Sequence, residues 1–532
     1  AVKTARARWM VLAAIVVAAV PAVAMAVEVG RGTRLQYADY WFIVHDLVRT
    51  DGSLRFGELL TFRNEHPVVV AKLLYWLNLR AAHGSNVALG IVVVAIAAAE
   101  VVVYGLLLRA TAGLRTADRC LAVAATSFVV FAPHGAWNFL KAMSGAAWLP
   151  ANLLCLVALL LLRRERPILA AVAGLGASVS YGTGAAVWPA LLVAALVARR
   201  PRRDLIPMAV GAVATALLHL TADTNQVATD RPSPVELVSY LVKMLGSLLA
   251  PGSEGTAALI GSIGLVALFG TAALLVVRRV EAAAPWLGVA TFGLGGLALM
   301  SWGRATTIVS PLQSRYAAPA GAVWIATIVL VTVAARHLVP RPEGAARLVP
   351  AVAASLAILV AVPLAWTGHD TVERLHAGEA IQDQLEIAIR LGIADGSTAL
   401  FPGYQPFPEV TPMLEATGHY PFVADWDRDC DLLGTTVPAD RLEDAPRRSG
   451  SINRVEPLLD GGVLVAGGIR RELAPRCVVV LDPDGVVVGA AVLADSDRPR
   501  TPYRGVALAD RGPYRVAVST DDRDRLLVIG QR

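Results

Sequence analysis

Residues 86–108 read NVALGIVVVAIAAAEVVVYGLLL, an apolar run whose single charge is Glu100. Lipid offers no partner to backbone polar groups, so a helix of about 20 mostly apolar residues is the form such a run takes. Working outward, the pattern recurs near 9–27, 119–133, 147–162, 167–181, 184–198, 205–221, 256–277, 284–302, 317–335 and 347–366, so about eleven spanning helices are expected. The composition agrees. Hydrophobic residues make up 55% and charged residues 17% of 532, against about 45–50% and about 25% in soluble chains. A string of soluble domains is excluded.

The charge is split along the chain. Residues 1–366 hold 30 Lys and Arg against 16 Asp and Glu, whereas 367–532 hold 18 against 26. The high isoelectric point, near 9.3, therefore belongs to the membrane part alone and signals no nucleic-acid partner. Lys3, Arg6 and Arg8 precede the first span, and Arg109, Arg115 and Arg119 follow the second. Arg163, Arg164 and Arg166, then Arg199, Arg200, Arg202 and Arg203, then Arg278 and Arg279, then Arg336, Arg341 and Arg347 fill every second loop thereafter. Basic loops are cytoplasmic. The N-terminus is thus expected in the cytoplasm of a multi-pass plasma-membrane protein, with the acidic tail outside. The first span also has the basic start and Ala24-Met25-Ala26 end of a cleavable signal peptide, and cleavage would leave the sidedness unchanged. Cys120 and Cys155 fall in spans; Cys430 and Cys477 are the two cysteines of the tail, where an oxidising compartment permits a disulfide.

Three regions are expected: a membrane domain over 1–366 that includes a first external loop at 28–85, a helical and loop linker over 367–450, and a β-sandwich-like domain over 451–532. In the tail, Thr371 to Leu391 has helical spacing, and Phe401 to Pro421 reads as loop. Short apolar runs follow at Val463–Ala466, Cys477–Leu481, Val486–Leu493, Tyr514–Val518 and Leu526–Ile529, with a turn signal at Asp482-Pro-Asp-Gly485, the pattern of a small β-sandwich or β-barrel. The first external loop is neither apolar enough to span nor polar enough to be disordered. Amphipathic stretches at Tyr40–Val48 and Leu54–Phe62, and an apolar one at Val68–Leu79, suit helices in the membrane interface.

This layout resembles the GT-C superfamily of polyprenyl-phosphate-dependent membrane glycosyltransferases. In that superfamily the first external loop carries an essential Asp or Glu, and Asp39 occupies the matching place. Asn64-Glu65-His66, Gly303-Arg304 and Ser314-Arg315-Tyr316 resemble elements of bacterial members. The resemblance implies a GT-C-like fold, a polyprenyl-phosphate sugar as donor, and an external cell-envelope glycan or glycolipid as acceptor, such as an arabinan, a mannan or a teichoic-type polymer.

The residues make independent chemical sense. A base must take the acceptor hydroxyl's proton, and apolar surroundings raise a carboxylate's pKa toward that task. Asp39 is the candidate, and a helix N-cap is its structural alternative. Tyr40 and Trp41 could stack on a sugar. Asp46 lies two helical turns beyond Asp39 and is a second candidate or a solvated residue. Glu65 and His66 are acceptor or phosphate contacts, or they fix the loop. External cations are scarce: Arg315, Arg304 and Lys141 could hold the departing phosphate or snorkel to headgroups. Asn138 and Tyr316 would be their neighbours. Glu100 reads as a structural hydrogen-bonding group, and Asp425-Trp426-Asp427-Arg428-Asp429 as a surface loop. No metal or cofactor is expected. The rival function is a transporter or flippase of a lipid-linked substrate, with a glycan-binding external domain.

Overall fold

The computed structural model describes residues 2–222, 231–338, 370–379, 381–393, 407–426, 430–458, 461–494, 499–520 and 525–532. The expected span at 347–366, with Arg341, Arg347, Asp427, Arg428 and Asp429, lies outside them. The chain forms two compact units. One comprises residues 1–32, 56–75 and 87–375; the other comprises 33–55, 76–86 and 376–532. Parts of the expected external loop thus group with the tail.

The first unit is helical. Among the described residues seven helices are long and apolar enough to cross a membrane: Ala7–Gly30, Asn86–Ala110, Ala142–Arg163, Arg202–Thr221, Glu254–Val277, Glu281–Arg304 and Ser314–His337. The helix pair Thr116–Val130 and Pro133–Leu140, bent by 47°, adds an eighth if counted as one. Two shorter apolar helices, Pro167–Ser180 and Gly182–Val197, stand where two full spans were expected. Helices Ala142–Arg163 and Ser314–His337 are mostly buried within the bundle, whereas Arg202–Thr221 and Glu254–Val277 are largely exposed. The exposed side chains are apolar: Val213 at 59%, Ile263 at 59% and Val266 at 74%. Apolar surface on that scale needs a lipid neighbour, which marks a membrane-embedded protein.

Close packing replaces hydrophobic drive inside such a bundle. Gly246 on the Pro234–Ser247 helix and Gly261 on Glu254–Val277 each meet the other helix's backbone, so neither position has room for a Cβ. At the opposite helix ends a buried ion pair closes the structure. Arg336 donates from Nε to Asp118 Oδ2 at 2.8 Å and from Nη2 to Oδ1 at 2.6 Å, and Asp118 also accepts the Arg115 backbone N–H at 2.9 Å. Glu100 is buried, yet among the described residues it shows no hydrogen bond to another helix, contrary to expectation.

The first loop is less helical than its pattern suggests. Asp39–Leu47 and Val69–Ala82 are α-helices, but between them only Phe56–Leu59 forms a single 3-10 turn. The buried Lys72 holds that turn, donating to Glu58 O at 2.5 Å, Thr61 O at 2.7 Å and Thr61 Oγ1 at 2.8 Å.

In the second unit the buried Glu386 carboxylate is a hub. It accepts from Tyr420 OH at 2.6 Å, Trp426 Nε1 at 3.3 Å and Thr33 Oγ1 at 3.3 Å. Arg34 pairs with Asp425 at 3.0 Å and holds its carboxyl below the usual range. Burial, and then the charges of Glu379, Asp383 and Glu386, push the Tyr37 phenol well up. Residues 376–379 and 381–390 of this unit are helical. So is Phe407–Thr417, inside the stretch expected as loop.

The remainder is one eight-stranded sheet rather than a two-sheet sandwich. Its strands are β1 (Leu442–Asp444), β2 (Gly450–Pro457), β3 (Gly462–Arg470), β4 (Cys477–Leu481), β5 (Val487–Leu493), β6 (Arg500–Leu508), β7 (Arg515–Ser519) and β8 (Leu526–Gln531). The order is β1-β8-β7-β4-β5-β6-β3-β2, with β1–β8 parallel and the other pairs antiparallel. Ile452 on β2 and Ile529 on β8 share one core with Val478, Val480, Val516 and Val518, so the sheet curls into a half-barrel. On the other face Val479, Leu481 and Ala517 pack against Val437, with Leu432 and Leu433 beside them. Cys430 in that covering loop is bonded to Cys477 at the start of β4, with Cα atoms 6.0 Å apart.

Removing one partner of the Asp118–Arg336 pair strands a buried charge. Arg336→Ala is expected to cost about 3–5 kcal/mol, and adding Asp118→Leu to recover much of it. Denaturation of the purified variants in detergent reads both changes.

Candidate functional site

A cavity of about 320 Å³ lies within the first unit, and helix ends and helix breaks build it. Arg304 sits in the last turn of the Ala284–Arg304 helix, with Leu299, Met300, Trp302 and Gly303 beside it on the cavity wall. Arg315 and Tyr316 come from the 3-10 turn Ser314–Tyr316 that leads into the next helix. His219 lies in the last turn of Arg202–Thr221. These ends are opposite those that carry Arg202, Arg278 and Arg336 on the same helices or their entries.

The Ser314–Tyr316 turn is clamped by the bent segment at 133–140. Ser314 Oγ donates to the His134 carbonyl and accepts the Trp137 N–H at 3.1 Å. Asn138 Nδ2 donates to the Arg315 carbonyl at 3.2 Å, while its Oδ1 accepts from Ser144 at 2.8 Å. Asn138 is 2% exposed. It stands beside Arg315, as expected, and holds that residue's backbone. Lys141 rests its ammonium 3.7 Å over the Trp137 ring and is not among the cavity-lining residues.

Glu65 and His66 enter from a tight turn. Arg63 and His66 exchange backbone hydrogen bonds of 3.0 and 3.1 Å, and Asn64 takes the left-handed conformation at φ 53°, which Asn tolerates well. His66 Nε2 lies 4.0 Å from Glu65 Oε2. The His66 ring packs on Tyr181 with centroids 4.2 Å apart, and Tyr181 packs on Trp148 at 4.3 Å. Gly182 makes this possible, because a Cβ there would stand 2.5 Å from His66 Nδ1.

The net character of the cavity is cationic. Among the described residues neither Arg304 nor Arg315 has an ion-pair partner within 4.0 Å. Both lie close enough to Tyr240 to draw its phenol's pKa down. Burial and the neighbouring Tyr316 prevail, and the phenol stands well above its ordinary value. Guanidinium planes that face a partly buried cavity suit a phosphate or carboxylate, and the aromatic wall suits a flat or ring-shaped group beside it.

The structure thus gathers Glu65, His66, Arg304, Arg315 and Tyr316 around one cavity. Asp39, Tyr40, Trp41 and Asp46 belong to the second unit. Tyr40 and Trp41 are 0% and 1% exposed, with Tyr40 OH donating to Asn78 Oδ1 and Trp41 Nε1 to the Gln36 carbonyl, each at 3.0 Å. They are core residues and not a sugar platform, because burying their rings anchors the Asp39–Leu47 helix. Asp39 is half-buried as the first residue of that helix; the cap position belongs to Ala38. Asp46 is exposed, 3.0 Å from His45 Nδ1. Trp148, Tyr181, Thr183, His219 and Trp302 line the cavity unanticipated. The polar and glycine-rich break Tyr181-Gly-Thr-Gly184 within an apolar region was the one signal, and it bears on Tyr181 and Thr183 alone.

The clamp on Arg315 makes a testable demand. Asn138→Ala is expected to loosen the Ser314–Tyr316 turn and to weaken anion binding by the purified protein about tenfold, a hydrogen bond's worth of positioning; titration with a short-chain alkyl phosphate reads it. Compared with protein families, characterised proteins and solved structures, the chain finds no match.

Proposed function

We propose that the protein is a GT-C-like membrane glycosyltransferase that moves a sugar from a polyprenyl phosphate to a glycan or glycolipid acceptor outside the plasma membrane. The observation that carries the reading is the pair of guanidiniums, Arg304 and Arg315, without an ion-pair partner among the described residues, on the wall of an aromatic cavity built from the ends of membrane helices. A phosphate on an isoprenoid chain is an anion delivered at that depth. The scheme of basic loops puts these ends on the extracytoplasmic side.

In this reaction the acceptor hydroxyl attacks the anomeric carbon with inversion, and the carbon–oxygen bond to the phosphate breaks. The electron pair leaves with the phosphate, where Arg304 and Arg315 stabilise the growing charge. The hydroxyl proton passes to a carboxylate of the first loop. Asp39 is assigned that role by the superfamily resemblance, and Glu65 is the carboxylate on the cavity wall. Tyr316 and the ring wall confine the head group and keep water from the reacting carbon.

The test uses full-chain protein in nanodiscs, offered radiolabelled polyprenyl-phosphate sugars and envelope glycan acceptors. Arg315→Ala is expected to lower transfer about 10- to 100-fold, the worth of a charge-assisted hydrogen bond. Asp39→Asn is expected to lower it about 10²- to 10⁴-fold while donor still binds, and Glu65→Gln to lower it less. Normal turnover by Asp39→Asn removes Asp39 as the base, and a reversed ranking transfers the role to Glu65. Movement of the labelled lipid across the bilayer without transfer would support the flippase reading instead.

A further inference from the structure

The tail is acidic as a whole, with 18 Lys and Arg against 26 Asp and Glu over 367–532, yet its sheet gathers arginines on one stretch of one face. Side chains alternate between the two faces of a strand, and the strand register assigns them. Val465, Ile469 and Tyr503 belong to the core of the half-barrel, so their neighbours in sequence lie on the opposite face. There Arg454 on β2 and Arg504 on β6 flank Ala466 of β3 in one row across the sheet. Four residues further along β3, Arg470 stands directly opposite Arg500 in a second row. All four arginines are exposed. Gly468 and Pro502 occupy the row between them.

Like charges directly opposite each other in antiparallel strands destabilise a sheet, and the chain offsets this pair weakly. Glu472 lies 4.0 Å from Arg470, with its own side chain 86% exposed. Arg454 is paired with Glu456. Among the described residues Arg500 and Arg504 have no ion-pair partner. Strands lie about 4.8 Å apart and rise about 3.3 Å per residue, which puts the two rows about 13 Å apart and Arg454 about 10 Å from Arg504. One small anion cannot touch both rows, whereas a linear chain of anions can. What stands between the arginines narrows the choice. Lying in a bilayer takes apolar or aromatic side chains to insert, and single-stranded nucleic acid takes rings for its bases to stack on. Ala466, Gly468 and Pro502 supply neither, nor a ring for a neutral sugar.

We infer that this face of the half-barrel binds a linear polyanion, a glycan or polyol polymer with a phosphodiester or carboxylate at each repeat, through guanidinium contacts in both rows. The inference does not depend on the glycosyltransferase reading.

The experiment measures binding to the full chain in phosphatidylcholine nanodiscs. The probes are poly(glycerol phosphate), polygalacturonate, glycerol phosphate, neutral mannan and phosphatidylglycerol vesicles. At least one of the two polyanions is expected to bind about 100-fold more tightly than glycerol phosphate, because its anions engage together, and which of them binds names the anion. Mannan is expected not to bind. Arg500→Ala combined with Arg504→Ala is expected to weaken polymer binding about tenfold. Arg511→Ala combined with Arg525→Ala removes the same charge from exposed positions beyond the far end of β6 and ahead of β8, and should leave binding within about twofold of wild type. Equal loss in the two double variants overturns the inference. So does mannan binding as tightly as the polyanions, the absence of any advantage over glycerol phosphate, or sedimentation with the vesicles without polymer binding. Each of these results leaves the glycosyltransferase reading standing.

Discussion

Backbone polar groups have no partner in lipid, and this constraint decides where the chain can break its helices. Irregular backbone at membrane depth is tolerated only where protein covers it or where it lines a cavity. The breaks at 181–186 and 305–316 border the cavity or lead into its wall, and the bent segment at 133–140 covers the Ser314–Tyr316 turn from behind. The site is therefore the place where helical hydrogen bonding has been given up.

Charge follows the same logic with opposite outcomes at the two ends of the bundle. Arg336 is neutralised by a bidentate carboxylate, with side-chain exposures of 7% and 0% for the two partners. Such a pair fixes helix ends and has nothing left for a ligand. Arg304 and Arg315 have no such carboxylate among the described residues, so an incoming anion gains what the protein does not supply. That contrast separates the two candidate anion-binding arginines from the structural one better than their abundance does.

Much of the architecture was legible because lipid imposes a simple rule on composition. The long runs at 86–110, 142–163 and 254–277 needed nothing but their length and lack of charge. Span number was harder. The apolar residues of 167–198 are interrupted by Tyr181-Gly-Thr-Gly184, and hydropathy counts two short helices as readily as two full spans. Five of the eight strands stood out as apolar runs, whereas β1, β2 and β6 carry too many polar residues to announce themselves. Period-two alternation fixes two faces but does not say whether a second sheet or the sheet's own curl covers one. At the site, Arg304, Arg315, Glu65 and His66 were legible because charge is rare outside the basic loops. Tyr40 and Trp41 misled because an aromatic cluster beside a carboxylate looks the same whether its rings pack inward or face a ligand. Trp148 and Tyr181 were hidden for the converse reason: in an apolar span an aromatic ring reads as packing.

The account rests on Arg304 and Arg315 receiving a lipid-borne phosphate. The most direct measurement is a cryo-electron microscopy map of the full chain in nanodiscs saturated with polyprenyl phosphate. The account predicts phosphate density within hydrogen-bonding reach of both guanidiniums, with the isoprenoid chain running out into the bilayer. A carrier phosphate bound elsewhere, with the cavity empty or opening toward the cytoplasmic leaflet, would contradict it.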